Sequence, residues 1–185
     1  MNLRPAAFLD RDGTIIEDTG FVRDRDGVRL IKGSAEAIRR LNEAGWVVVV
    51  VTNQSGIARG LFTTGEYDAV ASKLDALLAE HGARIDASYM CPHHPDVTGP
   101  CDCRKPGLKH YLSAAERFGI DFTGSIYVGD RMTDLEAARS LGGTAILVQT
   151  GDGRLSRGDA EQQGFAVVRD LNEAVDRQLA RLPDR

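Results

Sequence analysis

The chain has 185 residues with a formal net charge of −4 (23 Lys and Arg against 27 Asp and Glu), and its 42% hydrophobic and 27% charged content excludes a disordered, collagen-like or coiled-coil protein. The length predicts one domain spanning 1–185, with a core large enough to need no disulfide framework. The acidic balance excludes a nonspecific nucleic-acid or membrane-surface binder, and the longest apolar run, Trp46–Val51, falls far short of the roughly 20 residues that cross a bilayer.

In chain order, the short apolar run Ala6–Leu9 predicts a buried strand. Ser34–Asn42 carries Ala37, Ile38 and Leu41 at helical spacing, with Ser34 as candidate cap and Gly45 closing the turn after it. Val47–Val51 is uniformly β-branched, the pattern of a strand covered on both faces of a parallel sheet. Thr64–His81 reads as a helix with Tyr67, Val70, Leu74, Leu77 and Leu78 on one stripe and Thr63 or Thr64 as cap. Ile85–Met90 is a further strand, Leu108–Phe118 a helix, Ser125–Val128 a strand, Thr133–Leu141 a helix, and Ala145–Val148 a strand. Ala166–Val168 adds a short strand and Leu171–Leu182 a terminal helix. Residues 18–29, 55–62, 91–107 and 151–158 read as irregular. Alternating strands and helices predict an α/β fold, a doubly wound, Rossmann-like, mostly parallel sheet with helices on both faces. No insertion is long enough for a separate cap domain. With no signal-peptide pattern and no apolar helix face left over, the expected state is a cytoplasmic monomer with no membrane partner.

Four groups of residues that can do chemistry follow strands or open helices. Asp10-Arg11-Asp12-Gly13-Thr14 puts two carboxylates at a strand end where Gly13 lets the chain turn. Such a pair can hold a hard cation, or divide the work of nucleophile and proton carrier; alone it could equally be a solvated acidic turn. Gly129-Asp130-Arg131-Met132-Thr133-Asp134 offers two more carboxylates, whose ordinary use would be helix capping. Thr52-Asn53-Gln54-Ser55 ends the most apolar strand in hydrogen-bonding side chains suited to phosphate oxygens, or to a plain turn. Arg104-Lys105 supplies a planar fork and a point charge that could hold a phosphate, or a solvated basic pair.

A fifth group is Cys91-Pro92-His93-His94-Pro95 with Cys101-Asp102-Cys103. All three cysteines fall within 91–103, where Cys-x-His and Cys-x-Cys spacing matches a closed Cys₃His zinc site, structural because no position stays open. Spacing leaves open which histidine binds. The competing reading is three thiols without a metal.

Taken in order, Asp10-x-Asp12-Gly13-Thr14, Thr52, Lys105 and Gly129-Asp130-x-x-x-Asp134 resemble the haloacid dehalogenase superfamily of phosphotransferases over nearly the whole chain. The resemblance implies that Asp10 is the nucleophile and Asp12 the general acid and base. It implies a Mg²⁺ ion on Asp10, the Asp12 carbonyl and Asp130, with Thr52 and Lys105 on the phosphoryl oxygens. Asp134 would orient Lys105 or a metal-bound water.

The Cys-Pro-His-His-Pro loop and the run Val49–Gly60 resemble a zinc-loop branch whose members act on D-glycero-D-manno-heptose 1,7-bisphosphate or on histidinol phosphate, and favour the first. In that branch the first histidine binds zinc, so Cys91, His93, Cys101 and Cys103 are the implied ligands, within a zinc loop at 91–103. The implied partner is a small phosphorylated sugar, touched by Asp18, Gly20, Phe21, Asn53, Gln54 and Ser55, with Arg59, Arg104 and Arg131 as clamps for a distal phosphate. The branch often has Asp-His-Gly-Tyr where this chain has Asp18-Thr19-Gly20-Phe21, a departure that bears on the sugar contacts. Ser55–Phe62 could act as a flap.

Two other classes explain less. A receiver domain carries its acceptor Asp after the third strand, whereas here Asp-x-Asp follows the first. A non-enzymatic zinc-stabilised interaction module leaves Asp10, Asp12, Asp130 and Lys105 without a purpose.

Overall fold

Strands β1 (Arg4–Leu9), β2 (Val47–Asn53), β3 (Ala87–Cys91), β4 (Ile120–Gly129), β5 (Thr144–Val148) and β6 (Ala166–Val168) form one parallel sheet in the order β3-β2-β1-β4-β5-β6 in the computed structural model, which describes residues 3–181. The helices are α1 (Ser34–Glu43), α2 (Thr64–Glu80), α3 (Pro95–Thr98), α4 (Lys109–Phe118), α5 (Met132–Leu135), α6 (Ala137–Leu141), α7 (Gly153–Gln162) and α8 (Leu171–Leu179).

Period-two alternation distributes each central strand between two cores. Ala7, Leu9, Val48, Val50, Ile126 and Val128 pack against Ile38 and Leu41 of α1, Val70 and Leu74 of α2, and Val175 of α8. Ala6, Phe8, Val47, Val49, Val51 and Tyr127 pack on the opposite face against Tyr111 of α4, Leu135 of α5, Ala138 of α6 and Ala160 of α7. Each fully buried Val is worth about 1.5–3 kcal/mol, so the five valines of β2 hold that strand firmly next to β1 and place the residues after Val51 at the sheet's carboxyl edge. The chain builds outward from β1 to β3, then returns to β4 on the other side of β1. The strand order reverses there, and a doubly wound sheet binds its ligands in the crevice at this point.

Several boundaries differ from the expectation. α1 is preceded by Gly33 at φ 86°, and Ser34 is not its cap; the Ser34 hydroxyl donates to Ile15 O at 2.9 Å and ties the helix to the loop after β1. Gly45 does close that helix, at φ 81°. α2 is capped by Thr63, reciprocally with Glu66. β4 begins at Ile120, not Ser125: a register shift between Pro5 and Ala7 absorbs the turn-like Thr123-Gly124-Ser125, and the Ser125 hydroxyl accepts the Ala6 N–H at 2.9 Å. The helix expected over 133–141 is two short helices, α5 and α6. Residues 151–158 are not irregular; most of them belong to α7, whose buried face amounts to Gly153 and Ala160, too little to show as a stripe. Short turns of helix occur in two other segments expected to be irregular, at Arg25–Gly27 and in α3. α8 is described to Leu179, and Leu182 of the expected helix lies outside the described residues.

Candidate active site

Asp10 leaves β1 with its N–H on Val128 O at 2.9 Å. The chain then folds back tightly: the N–H groups of Ile15 and Ile16 both donate to Arg11 O, and Gly13 donates to Ile16 O at φ 77°. The turn brings Asp10 and Asp12 to one cavity of about 990 Å³, lined as well by Asp18, Gly20, Phe21, Thr52, Asn53, Gln54, Ser55, Arg59, Arg104, Lys105 and Arg131. Every expected catalytic and substrate-contacting residue therefore borders one space.

Lys105 is the hub of the floor. Its Nζ donates to Asp10 Oδ1 at 2.6 Å and to Val51 O at 2.6 Å, and lies 2.8 Å from Asp134 Oδ1. An ammonium has three protons, and all three are engaged. Burial alone would push this lysine down; the charges of Asp10 and Asp134 outweigh it and hold the group above its ordinary value. Burial pushes Asp134 up while Lys105 pulls it down. Its second oxygen accepts the Arg131 N–H at 2.9 Å, so both Asp134 oxygens have partners, Lys105 being one of them. The Lys105 backbone is held from β2, where Asn53 Oδ1 accepts its N–H at 3.0 Å and Asn53 Nδ2 reaches its carbonyl at 3.3 Å.

One oxygen from each of Asp10, Asp130 and Asp134 lies within 4.8 Å of the other two. Asp130 Oδ2 accepts the Asp152 N–H at 2.8 Å, whereas Oδ1 is buried without a partner among the described residues. Burial, then the charge of Asp10, push the Asp130 carboxyl up to about 7. Hard oxygen donors, one of them orphaned, fit a Mg²⁺ ion. Gly13 and Gly151 keep the space clear, since a Cβ on either would come within 2.2 Å of Asp130 Oδ2. The Asp12 carboxylate stands apart from this trio. Arg11 Nε and Nη2 donate to its Oδ1 and Oδ2 at 3.1 and 2.9 Å, and Gln54 Nε2 donates to Oδ2 at 2.7 Å. Burial raises the Asp12 carboxyl, with the Arg11 charge acting against it. Gln54, expected as a sugar contact, also donates to Thr52 Oγ1 at 2.9 Å, so it links the acid to the phosphate-side hydroxyl.

At the rim, Arg59 lies over the Phe21 ring at 5.5 Å, and Phe21 meets Phe62 with centroids 6.0 Å apart. Gly56 is needed beneath them, because a Cβ there would stand 2.2 Å from Phe62. Arg131 Nη2 lies 3.4 Å from Asp18 and 2.9 Å from Asp152. Arg104 Nη1 reaches His93 O at 3.4 Å.

Cys91, His93, Cys101 and Cys103 converge, with Sγ···Sγ distances of 3.2–3.7 Å and His93 Nδ1 at 3.2 Å from Cys103 Sγ. A Zn–S bond of about 2.3 Å implies S···S edges near 3.8 Å in a tetrahedron, and the donor set fits zinc. His94 points elsewhere: its Nδ1 accepts the Asp96 N–H at 3.2 Å and caps α3.

Sequence reasoning missed Arg11, whose position between two acids is a signal for pairing. It also missed Asp152, Leu155 and Ser156, which line the cavity from the segment containing α7.

Residues 102–174 match the HAD-hydrolase-like family model. The chain is 43% identical over 162 residues to the D-glycero-beta-D-manno-heptose-1,7-bisphosphate 7-phosphatase of Yersinia pestis, covering 84% of this chain and 86% of the relative. It is 45% identical over 174 residues to the protein of that name in Bordetella bronchiseptica, covering 92% and 95%. A solved structure of D,D-heptose 1,7-bisphosphate phosphatase from B. bronchiseptica, complexed with magnesium and phosphate, superposes with a TM-score of 0.87 at 40% identity, covering 96% of this chain and 99% of that one.

Proposed function

Because the chain belongs to the haloacid-dehalogenase-like hydrolases, in the family of the heptose-1,7-bisphosphate 7-phosphatases, we propose that it is a Mg²⁺-dependent phosphatase that removes the 7-phosphate of D-glycero-D-manno-heptose 1,7-bisphosphate. The observation that carries this reading is Lys105 held between Asp10 and Asp134 beside the orphaned oxygen of Asp130, at the sheet's switch point. We take residues 1–185 as one catalytic unit without a cap domain. A cytoplasmic monomer, and a product that feeds nucleotide-activated heptose for surface-glycan assembly, belong to the same reading.

A carboxylate oxygen of Asp10 attacks phosphorus, and the bond from phosphorus to the sugar oxygen breaks. The leaving oxygen keeps the electron pair and takes a proton from Asp12. Asp12 then removes a proton from the water that attacks the aspartyl-phosphate, and Asp10 and inorganic phosphate are released. The negative charge that Asp10 gives up as its oxygen bonds phosphorus ends on the departing sugar oxygen, where the Asp12 proton neutralises it, and the Lys105 N–H on Asp10 Oδ1 can turn to a phosphoryl oxygen. Thr52 Oγ1 accepts from Gln54, which leaves its own proton to donate to a phosphoryl oxygen. Asp10, the Asp12 backbone carbonyl and Asp130 would hold the Mg²⁺, which when bound neutralises charge on the incoming phosphate. Arg59, Arg104 and Arg131 would receive the distal phosphate, Arg131 exchanging its carboxylate partners for it. Zinc on Cys91, His93, Cys101 and Cys103 would stiffen the loop that carries Arg104 and Lys105.

The test is phosphate release from the α and β anomers of the bisphosphate and from histidinol phosphate. The relatives' names carry the beta anomer, and a preference of about 100-fold in kcat/KM for it, about 2.7 kcal/mol of differential transition-state binding, is the expected result. Preference for histidinol phosphate would replace the substrate and keep the chemistry. Slow release from all three would point to another phosphorylated metabolite.

Asp130 makes Mg²⁺ binding depend on pH. Because a proton competes for this carboxylate, affinity should rise by about tenfold per pH unit toward 7 and level off above it. Its folded-state value lies above the ordinary one, so the cation-free protein should lose stability between about pH 4 and 7, at up to about 1.4 kcal/mol per unit from this group. Titration calorimetry and melting in Mg²⁺-free buffer check both; a pH-independent affinity would remove Asp130 from the ligand set.

A further inference from the structure

Arg11 sits between the nucleophile and the acid and has no part in the reaction as derived. It is 1% exposed, with the Tyr67 ring 5.1 Å from its Cζ, and its Nη1 has no hydrogen-bond partner among the described residues. Burying a guanidinium costs more than burying an apolar side chain of the same volume, and a buried ion pair is a poor source of stability. What the arginine does supply is a fork: Nε on Asp12 Oδ1 and Nη2 on Oδ2, with Gln54 as a third donor on Oδ2. A carboxylate offers about four acceptor sites. Two are filled on Oδ2 and one on Oδ1, which leaves a single site, on Oδ1.

We propose that Arg11 is a positioning residue that, with Gln54, fixes the Asp12 carboxylate so that Oδ1 alone exchanges a proton with the sugar oxygen and then with water. This rests on the phosphatase reading above. A lysine at position 11 keeps the charge but, as a point donor, cannot hold both oxygens in one plane. Asp12 would stay near the site with its free acceptor site no longer aimed.

The experiment compares kcat/KM for wild type and Arg11→Lys on two phosphate esters, heptose 1,7-bisphosphate and p-nitrophenyl phosphate. The sugar alkoxide needs a proton to leave and nitrophenolate does not. A residue that acts on the transferred phosphoryl group, or on folding, moves both substrates together. A residue that acts through Asp12 moves the sugar substrate alone. The expected result is a loss on the order of 100-fold on the bisphosphate, the usual size of a general-acid contribution, with KM unchanged and little loss on the nitrophenyl ester. An equal loss on both, or none on the bisphosphate, overturns the proposal. Should Arg11→Lys fail to fold by circular dichroism, Gln54→Leu carries the same comparison. Its lost bond to Thr52 touches the phosphoryl group common to both esters, and a lost contact of Gln54 to the sugar would raise KM for the bisphosphate; a loss confined to the bisphosphate with KM unchanged carries the proposal, and an unchanged ratio, or a change in KM alone, overturns it. A wild type that releases phosphate from neither ester removes the phosphatase reading itself.

Discussion

Asp10→Asn is expected to abolish phosphate release, with a loss on the order of 10⁴-fold or more, the scale at which losing a nucleophile is felt, and to leave the fold and the zinc content unchanged. An amide is isosteric with the carboxylate, so the hydrogen bond of the residue-10 N–H to Val128 O and the packing of β1 are untouched. Lys105 keeps Asp134 and Val51 O as partners. The variant also removes one of the charges that push the Asp130 carboxyl up, so Asp130 should titrate lower than in the wild type. Phosphate release, melting temperature and metal analysis on the same preparation check the three parts. Activity retained in the Asp10→Asn variant would rule out the aspartyl-phosphate route.

Stripping zinc should cost the second largest share of activity, through geometry alone. The loop that carries the Cys and His cluster is tied to β2 and the segment after it at several points: Gln54 N–H on Cys91 O at 2.7 Å, Ala58 N–H on Pro92 O at 3.2 Å, and Oδ1 and Nδ2 of Asn53 on the Lys105 backbone. Without a cation, three sulfurs and a histidine at van der Waals separation have little to hold them together. Lys105 would lose its fixed approach to Asp10. Misplacement of about 1 Å can cost on the order of 10²-fold, and that is the expected fall in kcat/KM. Strands β1, β2 and β4 draw their stability from the valines, Phe8 and the helices on either side, so far-ultraviolet circular dichroism should be retained. Metal analysis should give one zinc per chain before chelation. After chelation, added Mg²⁺ alone should not restore activity, and zinc together with Mg²⁺ should; full activity in the zinc-free, Mg²⁺-loaded protein would assign the loop no role in catalysis.

The sheet could be read from the sequence because its strands are short apolar runs and its functional residues stand where those runs stop. Asp10, Thr52 and Asp130 each end or follow such a run, and all border the switch point. What spacing could not supply was who meets whom. Lys105 and Asp10 are 95 residues apart in the chain, and Arg131 and Asp18 are 113 apart; only the resemblance to a known family put Lys105 and Asp10 on the same phosphoryl group. Arg11 was passed over because an arginine beside two acids in one tripeptide looks solvated, whereas it is 1% exposed, with the Tyr67 ring of α2 5.1 Å from its Cζ. α7 was invisible because the sheet asks it for one buried alanine and a glycine. Gln54 was read only as a substrate contact; it does line the cavity, and its further place beneath Asp12 depends on a turn from a different strand, which spacing does not show.

The hydrogen bond from the Asp10 amide to Val128 O belongs to the ladder between β1 and β4 at the centre of the sheet. That amide, between the two central strands, is expected to exchange with solvent only on a larger opening of β1 from β4. The amide of Gly20 is bonded to an Asp18 carboxylate in an exposed turn and exchanges on a local fluctuation. The residues proposed to break the phosphate ester are thus expected to sit in a slow-opening part of the molecule, and those proposed to face the sugar in a faster one. Residues such as Thr19 and Phe21 can be exchanged for others over evolutionary time, retuning which ester is taken in, without disturbing the clockwork that cleaves it.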